Sequence, residues 1–145
     1  STLTSVNNLA VTLHSRGKFE EAERLYRRAL HGRQKVLGKQ HPRAVLSARN
    51  LAVFLHERGR LSDAEHVYRS ALACADGKPE AQVDHNTWNC MANYANLLNA
   101  LGRLDEAKRL CETALDAQRR TIGDGHPHTK MSVNIMGWIS EAAAQ

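Results

Sequence analysis

"GKFEEAERLYRRAL", Gly17 to Leu30, is followed by "GRLSDAEHVYRSAL" from Gly59 and "GRLDEAKRLCETAL" from Gly102. Gly17 to Gly59 is 42 residues, and Gly59 to Gly102 is 43. Ala22, Ala64 and Ala107 keep that spacing, as do Ala29, Ala71 and Ala114. Upstream, Ala10, Ala52, Ala95 and Gly137 recur in the same phase, so a fourth unit begins. Self-similarity at such a period marks stacked supersecondary units.

Each unit holds two helical patterns separated by the glycine. "SVNNLAVTLHSRG" spaces Val6, Leu9, Ala10 and Leu13 for one helical face and closes on Gly17, a left-handed stop. Acids then crowd the next first turn: Glu20 and Glu21, Asp63, and Asp105 with Glu106. There the positive end of a helix dipole favours them. The second helix carries Ala22, Leu25, Tyr26, Ala29 and Leu30 on one face. Small residues let paired helices approach closely, and large ones fill the gaps between units. One hairpin cannot bury its own apolar face, so hairpins stack. The expected fold is all-α, a right-handed α-solenoid of antiparallel helix hairpins. It has three repeats, about 3–42, 43–84 and 85–127, then a terminal helix at about 128–143, in one array over 1–145.

These positions resemble the tetratricopeptide repeat (TPR): Ala10, Gly17, Ala22, Tyr26 and Ala29 stand in that family's signature order. The second and third units match through Ala52, Gly59, Ala64, Tyr68 and Ala71, and through Ala95, Gly102, Ala107 and Ala114, with Cys111 replacing the aromatic. The usual repeat is 34 residues, and the longer period adds about 12 Å of helix to each hairpin. "NNLA" at Asn7 to Ala10 and "VLGKQHP" at Val36 to Pro42 are similar to the kinesin light chain subtype, and "TIGDGHP", Thr121 to Pro127, is a second linker copy. Pro42 and Pro127 suit a helix's first turn. The middle linker, "ACADGKPEAQVDHNTW", departs from the pattern, with Pro79 early and no His-Pro.

The composition is that of a soluble protein, 42% hydrophobic and 24% charged, and no apolar run nears the roughly 20 residues of a membrane span. No signal peptide opens the chain, which reads as a trimmed edge. Cys74, Cys90 and Cys111 share no metal-type spacing and fit reduced thiols in a cytoplasmic protein. The net charge is +5 and the pI about 9.4. Arg24, Arg27, Arg28, Arg33, Lys35, Lys108, Arg109, Arg119 and Arg120 decorate the second helices among acids, as solvated faces do. No aromatic platform accompanies them, which argues against nucleic acid.

The resemblance implies that first helices line a concave groove. Eight of nine asparagines fall in first helices: Asn7, Asn8, Asn50, Asn89, Asn93, Asn96, Asn99 and Asn134. Each costs a helix roughly 0.5 kcal/mol against Ala. Asn8, Asn50 and Asn93 share one repeat position, and Asn89, Asn93, Asn96 and Asn99 form a stripe. A carboxamide offers donor and acceptor, and so can hold a peptide backbone. The alternative is that the Asn8 row bonds neighbouring helices. Val11, His14, Arg49, Val53, His56 and Trp138 complete the candidate groove. Arg49 would meet an acidic group, and Trp138 would face the groove or cover the array's open end.

No phosphate loop or catalytic constellation appears, and no cofactor or metal is expected; His126 to His128, "HPH", echoes His41-Pro42 as a linker. The implied function is a non-enzymatic adaptor for a short extended peptide. The kinesin light chain resemblance makes an acidic, aromatic-containing peptide the first expectation. Chaperone-tail binders of the wider family use a Lys and Asn clamp, and the matching positions are Asn7 and Val11. The competing reading is self-association through the end residues Leu3, Val6, Met131, Ile135, Met136 and Ile139.

Overall fold

The computed structural model describes residues 2–73, 79 and 82–145. It is all-α: α1 Thr2–Ser15, α2 Phe19–Leu37, α3 Pro42–Glu57, α4 Leu61–Leu72, α5 His85–Ala100, α6 Leu104–Thr121 and α7 Pro127–Ala143. No strand occurs among the described residues. The helices gather into two compact units, Ser1–Cys74 with α1 to α4 and Ala75–Gln145 with α5 to α7.

The repeated glycine closes each first helix in one way. Gly17, Gly59 and Gly102 have φ of 78°, 77° and 80°, the left-handed region open to glycine. Their amides donate to His14, His56 and Asn99, and the next residue's amide reaches back to Leu13, Leu55 and Leu98. This pair of bonds satisfies the carbonyls a helix end leaves exposed. The second helix starts two residues later with the expected acids in its first turn. Arg60 and Arg103, just before α4 and α6, pair with Asp63 and Glu106.

The linkers also share a device. His41 and His126 precede α3 and α7, and each Nδ1 accepts the amide two residues on, with Pro at the first helical position. Asp84 does this work for α5, accepting from the Asn86 amide at 2.8 Å. A carboxylate cap therefore replaces His-Pro in the divergent linker. Asn86 itself lies in α5, so all nine asparagines stand in first helices.

The signature alanines Ala10, Ala22, Ala52, Ala64, Ala95 and Ala107 are solvent-inaccessible. In the first unit His14, Phe19, Tyr26 and Phe54 form an aromatic knot, with Phe54 5.0 Å from His14 and 5.3 Å from Tyr26. Arg58 lies 3.8 Å over the Phe19 ring. In the second unit Cys111 is buried where the other repeats hold Tyr, and burial, aided by Glu112, pushes its thiol up to about 11. Cys90 is buried as well, and Cys74 lies outside the described residues.

Two expectations are corrected. Arg33 is not on a solvated face but 5% exposed, donating to Thr4 Oγ1 at 3.1 Å, Ser47 Oγ at 2.9 Å and the Arg43 carbonyl at 3.3 Å. The physical reason is reach: its long stem spans from α2 to both α1 and α3. Burial, and secondarily Arg43, lowers its pKa. Ile135 and Ile139 are not end-face residues either. Both are buried on α7, while Met131, Val133 and Trp138 are exposed.

Candidate functional site

The first helices supply the candidate wall, and each unit builds its part differently. In the first unit, Asn50 Nδ2 donates to Asn7 Oδ1 at 3.3 Å, joining α3 to α1, and Arg49 Nη1 donates to Asn50 Oδ1 at 3.0 Å. Within the first unit Asn50 takes its partner from the neighbouring row and Asn8 is exposed, so no bond joins Asn8 to Asn50 among the described residues. Arg49 is half-buried, and its Nε is buried with no acceptor among the described residues. A buried donor left without a partner costs about 1–3 kcal/mol. Val11 is exposed and Val53 half-buried.

The two histidines of the predicted groove part ways with it. His14 is a brace, its Nε2 2.9 Å from Glu57 and its Nδ1 3.4 Å from the Tyr26 hydroxyl. Both ring nitrogens are spent inside the scaffold, against the groove reading. Burial raises the Tyr26 pKa, with Glu57 adding to it, so that hydroxyl stays protonated. His56 is half-buried, and burial holds its pKa below the ordinary value despite the opposing charge of Glu57.

In the second unit the predicted stripe divides. Asn89 is 4% exposed, and its carbonyl and Oδ1 both accept from Asn93 Nδ2, at 2.7 and 3.2 Å. This end of α5, the helix packed against both α6 and α7, is interior, so Asn89 is a scaffold residue. Asn99 Oδ1 is buried without a donor among the described residues. Asn96 is half-buried, while Asn134 and Trp138 are exposed on α7. Val11, Val53, Asn96 and Trp138 are one repeat position, spaced 42, 43 and 42. This row changes from Val to Asn to Trp, and is exposed at Val11 and Trp138 and half-buried at Val53 and Asn96.

The arrangement offers amide and guanidinium hydrogen bonds beside apolar contacts. The hollow between α5 and α6, about 460 Å³, is lined by Tyr94, Leu98, Glu106, Arg109, Leu110 and Thr113, none of them a predicted contact. One titratable group outside the wall is strongly engaged. Burial raises the Glu23 pKa, but hydrogen bonds from Arg27 and Arg60 outweigh it and leave the carboxyl below its usual value. Imidazoles sequence reasoning assigned to linkers, His126 and His128, are joined in space by His85. No helix among the described residues is long and apolar enough to cross a membrane.

Comparison with known proteins agrees with this architecture. The tetratricopeptide repeat family matches residues 1–76 and, separately, residues 87–128. Two crystal structures of a candidate kinesin light chain from Podosopora anserina, with nearly identical TPR-like repeats, superpose with TM-scores of 0.74 and 0.71. Each is 23% identical to this chain, covering 99% of it and 67% of the other. BtubC (BKLC) from P. vanneervenii is 26% identical with a TM-score of 0.77, covering 95% of this chain and 54% of its own. The chain thus spans about two thirds of the first pair and about half of BtubC. No curated protein matches.

Proposed function

The chain belongs to the tetratricopeptide repeat family, a protein-interaction scaffold, and on that premise we propose that it is a non-enzymatic adaptor binding a short extended peptide. The contacts lie on the first helices of each unit. In the first, Arg49 and Asn50 meet a peptide's backbone and acidic groups and Val11 and Val53 its apolar side chains; in the second, Asn96 and Asn134 offer amide bonds and Trp138 an apolar contact. Asn89 and His14 belong to the supporting framework, not the contact set.

The observation that carries this reading is Arg49. Its half-buried guanidinium is held by one Nη1 bond to Asn50, itself bonded to Asn7, and carries further terminal N–H donors at Nη1 and Nη2. A carboxylate from outside the chain suits those terminal donors, because the planar guanidinium pairs with it in bidentate geometry. An acidic peptide is the favoured partner.

The test is a peptide selected from a library and titrated against the native chain and Arg49→Ala. Loss of a hydrogen bond to a charged group predicts about 1.5–3 kcal/mol, a roughly 10- to 150-fold weaker Kd. An unchanged Kd in a folded variant removes Arg49 from the contact set. Self-association is a second reading, favoured by exposed Met131, Val133 and Trp138 on α7. A molar mass that stays constant over a concentration series argues against it.

A further inference from the structure

The geometry points to a divalent transition-metal site at the amino-terminal ends of α5 and α7, formed by His85, His126 and His128. A ligand nitrogen from each ring lies within 4.8 Å of the others. His85 Nδ1 and His128 Nδ1 are 3.5 Å apart. Two nitrogens bound to one zinc at its usual bond length and tetrahedral angle stand about 3.4 Å apart, so this pair already has the required separation. All three residues are half-buried, which shields the site while leaving room for water as a fourth ligand.

The linker role accounts for only part of this cluster. His126 Nδ1 caps α7 by accepting from the His128 amide at 3.0 Å. His41 caps α3 in the same way, accepting from Arg43 at 3.1 Å. Around His41 the next two residues are Pro42 and Arg43, so capping there needs no second imidazole like His128. The divergent middle linker places His85 where the other two have Pro42 and Pro127. Packing of α7 on α5 then brings His85 against His128. Ring centroids of the three lie 5.8, 5.4 and 4.8 Å apart.

An all-imidazole set selects zinc, nickel or copper(II) over calcium or magnesium, which require oxygen ligands. The helix dipoles oppose a cation at these two helix starts. The Asp84 carboxylate, one residue before His85, counters them. Capping also uses the lone pair on His126 Nδ1, so the neutral ring carries its proton on Nε2. His126 can therefore ligate as a neutral ring only by releasing the His128 amide. Metal binding and the first turn of α7 are coupled through that single nitrogen, while His85 and His128 form the entry pair.

The test is a titration of the tag-free full chain with Zn²⁺, by calorimetry and by amide and imidazole resonances. One-to-one saturable binding is expected. The His128 amide should shift strongly, while the Arg43 amide, capped by His41, should stay in place. His85→Gln and His128→Gln should each weaken binding by more than the roughly 10- to 100-fold produced by changing a supporting group. His126→Asn keeps a side chain that can cap the helix. It should weaken Zn²⁺ binding without lowering the unfolding midpoint, and His41→Asn should leave binding unchanged. The site is overturned by absence of saturation at millimolar Zn²⁺, by equal affinity for Mg²⁺, or by a folded His85→Gln or His126→Asn variant with native affinity.

Discussion

Replacing Arg33 separates the packed account of the first unit from a solvated one. The side chain is 5% exposed and donates to three neutral acceptors on α1 and α3, with Ser47 at its centre and itself buried. Arg33→Ala removes those bonds, leaves the Ser47 hydroxyl without its donor and opens a void along the vanished stem. Losses of this kind amount to about 2–4 kcal/mol. With a urea slope of about 2 kcal/mol/M, the unfolding midpoint falls by about 1–2 M. Arg33→Met keeps the stem and removes the buried charge with its desolvation cost, so it should stay within about 1.5 kcal/mol of the native chain. The assay is urea unfolding followed by circular dichroism, with slopes compared to confirm an unchanged transition. A loss under about 0.5 kcal/mol for Arg33→Ala is the behaviour of a surface side chain, and would refute the reasoning.

Other consequences are equally accessible. Cys111, with its thiol pushed up to about 11, and buried Cys90 should resist alkylation at pH 8 in the native chain and react after unfolding; mass spectrometry locates the adducts. Gly102→Ala meets no neighbouring atom, so its cost is the left-handed backbone alone, about 1–2 kcal/mol by thermal unfolding. Asp84→Ala should lose about 1 kcal/mol, and Asp84→Asn, which still caps, much less. The lowered Glu23 pKa stabilises the fold above the ordinary glutamate value of 4.5. That contribution is lost as pH falls through the folded-state value, and Arg60→Ala should flatten this acid limb of the stability profile.

The fold was legible because close helix approach leaves no choice at its contact points. Ala22, Ala64 and Ala107 had to be small, and Gly17, Gly59 and Gly102 had to adopt positive φ, so both recur in phase. The candidate wall was less legible. Spacing places Asn89, Asn93, Asn96 and Asn99 near one face of α5, but does not say which end of that face is interior; Asn89 is buried there. His14 carried no sign that Phe54 and Glu57 would enclose it, because those partners arrive from α3. Arg33 misled through its charge, since a guanidinium can be buried when enough acceptors surround it. His85 gave a faint signal, an imidazole where two sister linkers have Pro, but its approach to His128 needed the helices in space.

The most direct measurement is an amide and side-chain resonance map of the labelled chain during titration with a selected acidic peptide. Perturbations concentrated at Arg49, Asn50, Val53, Asn96, Asn134 and the Trp138 indole are the predicted result. Shifts confined to the second helices α2, α4 and α6, with those residues unmoved, would contradict it.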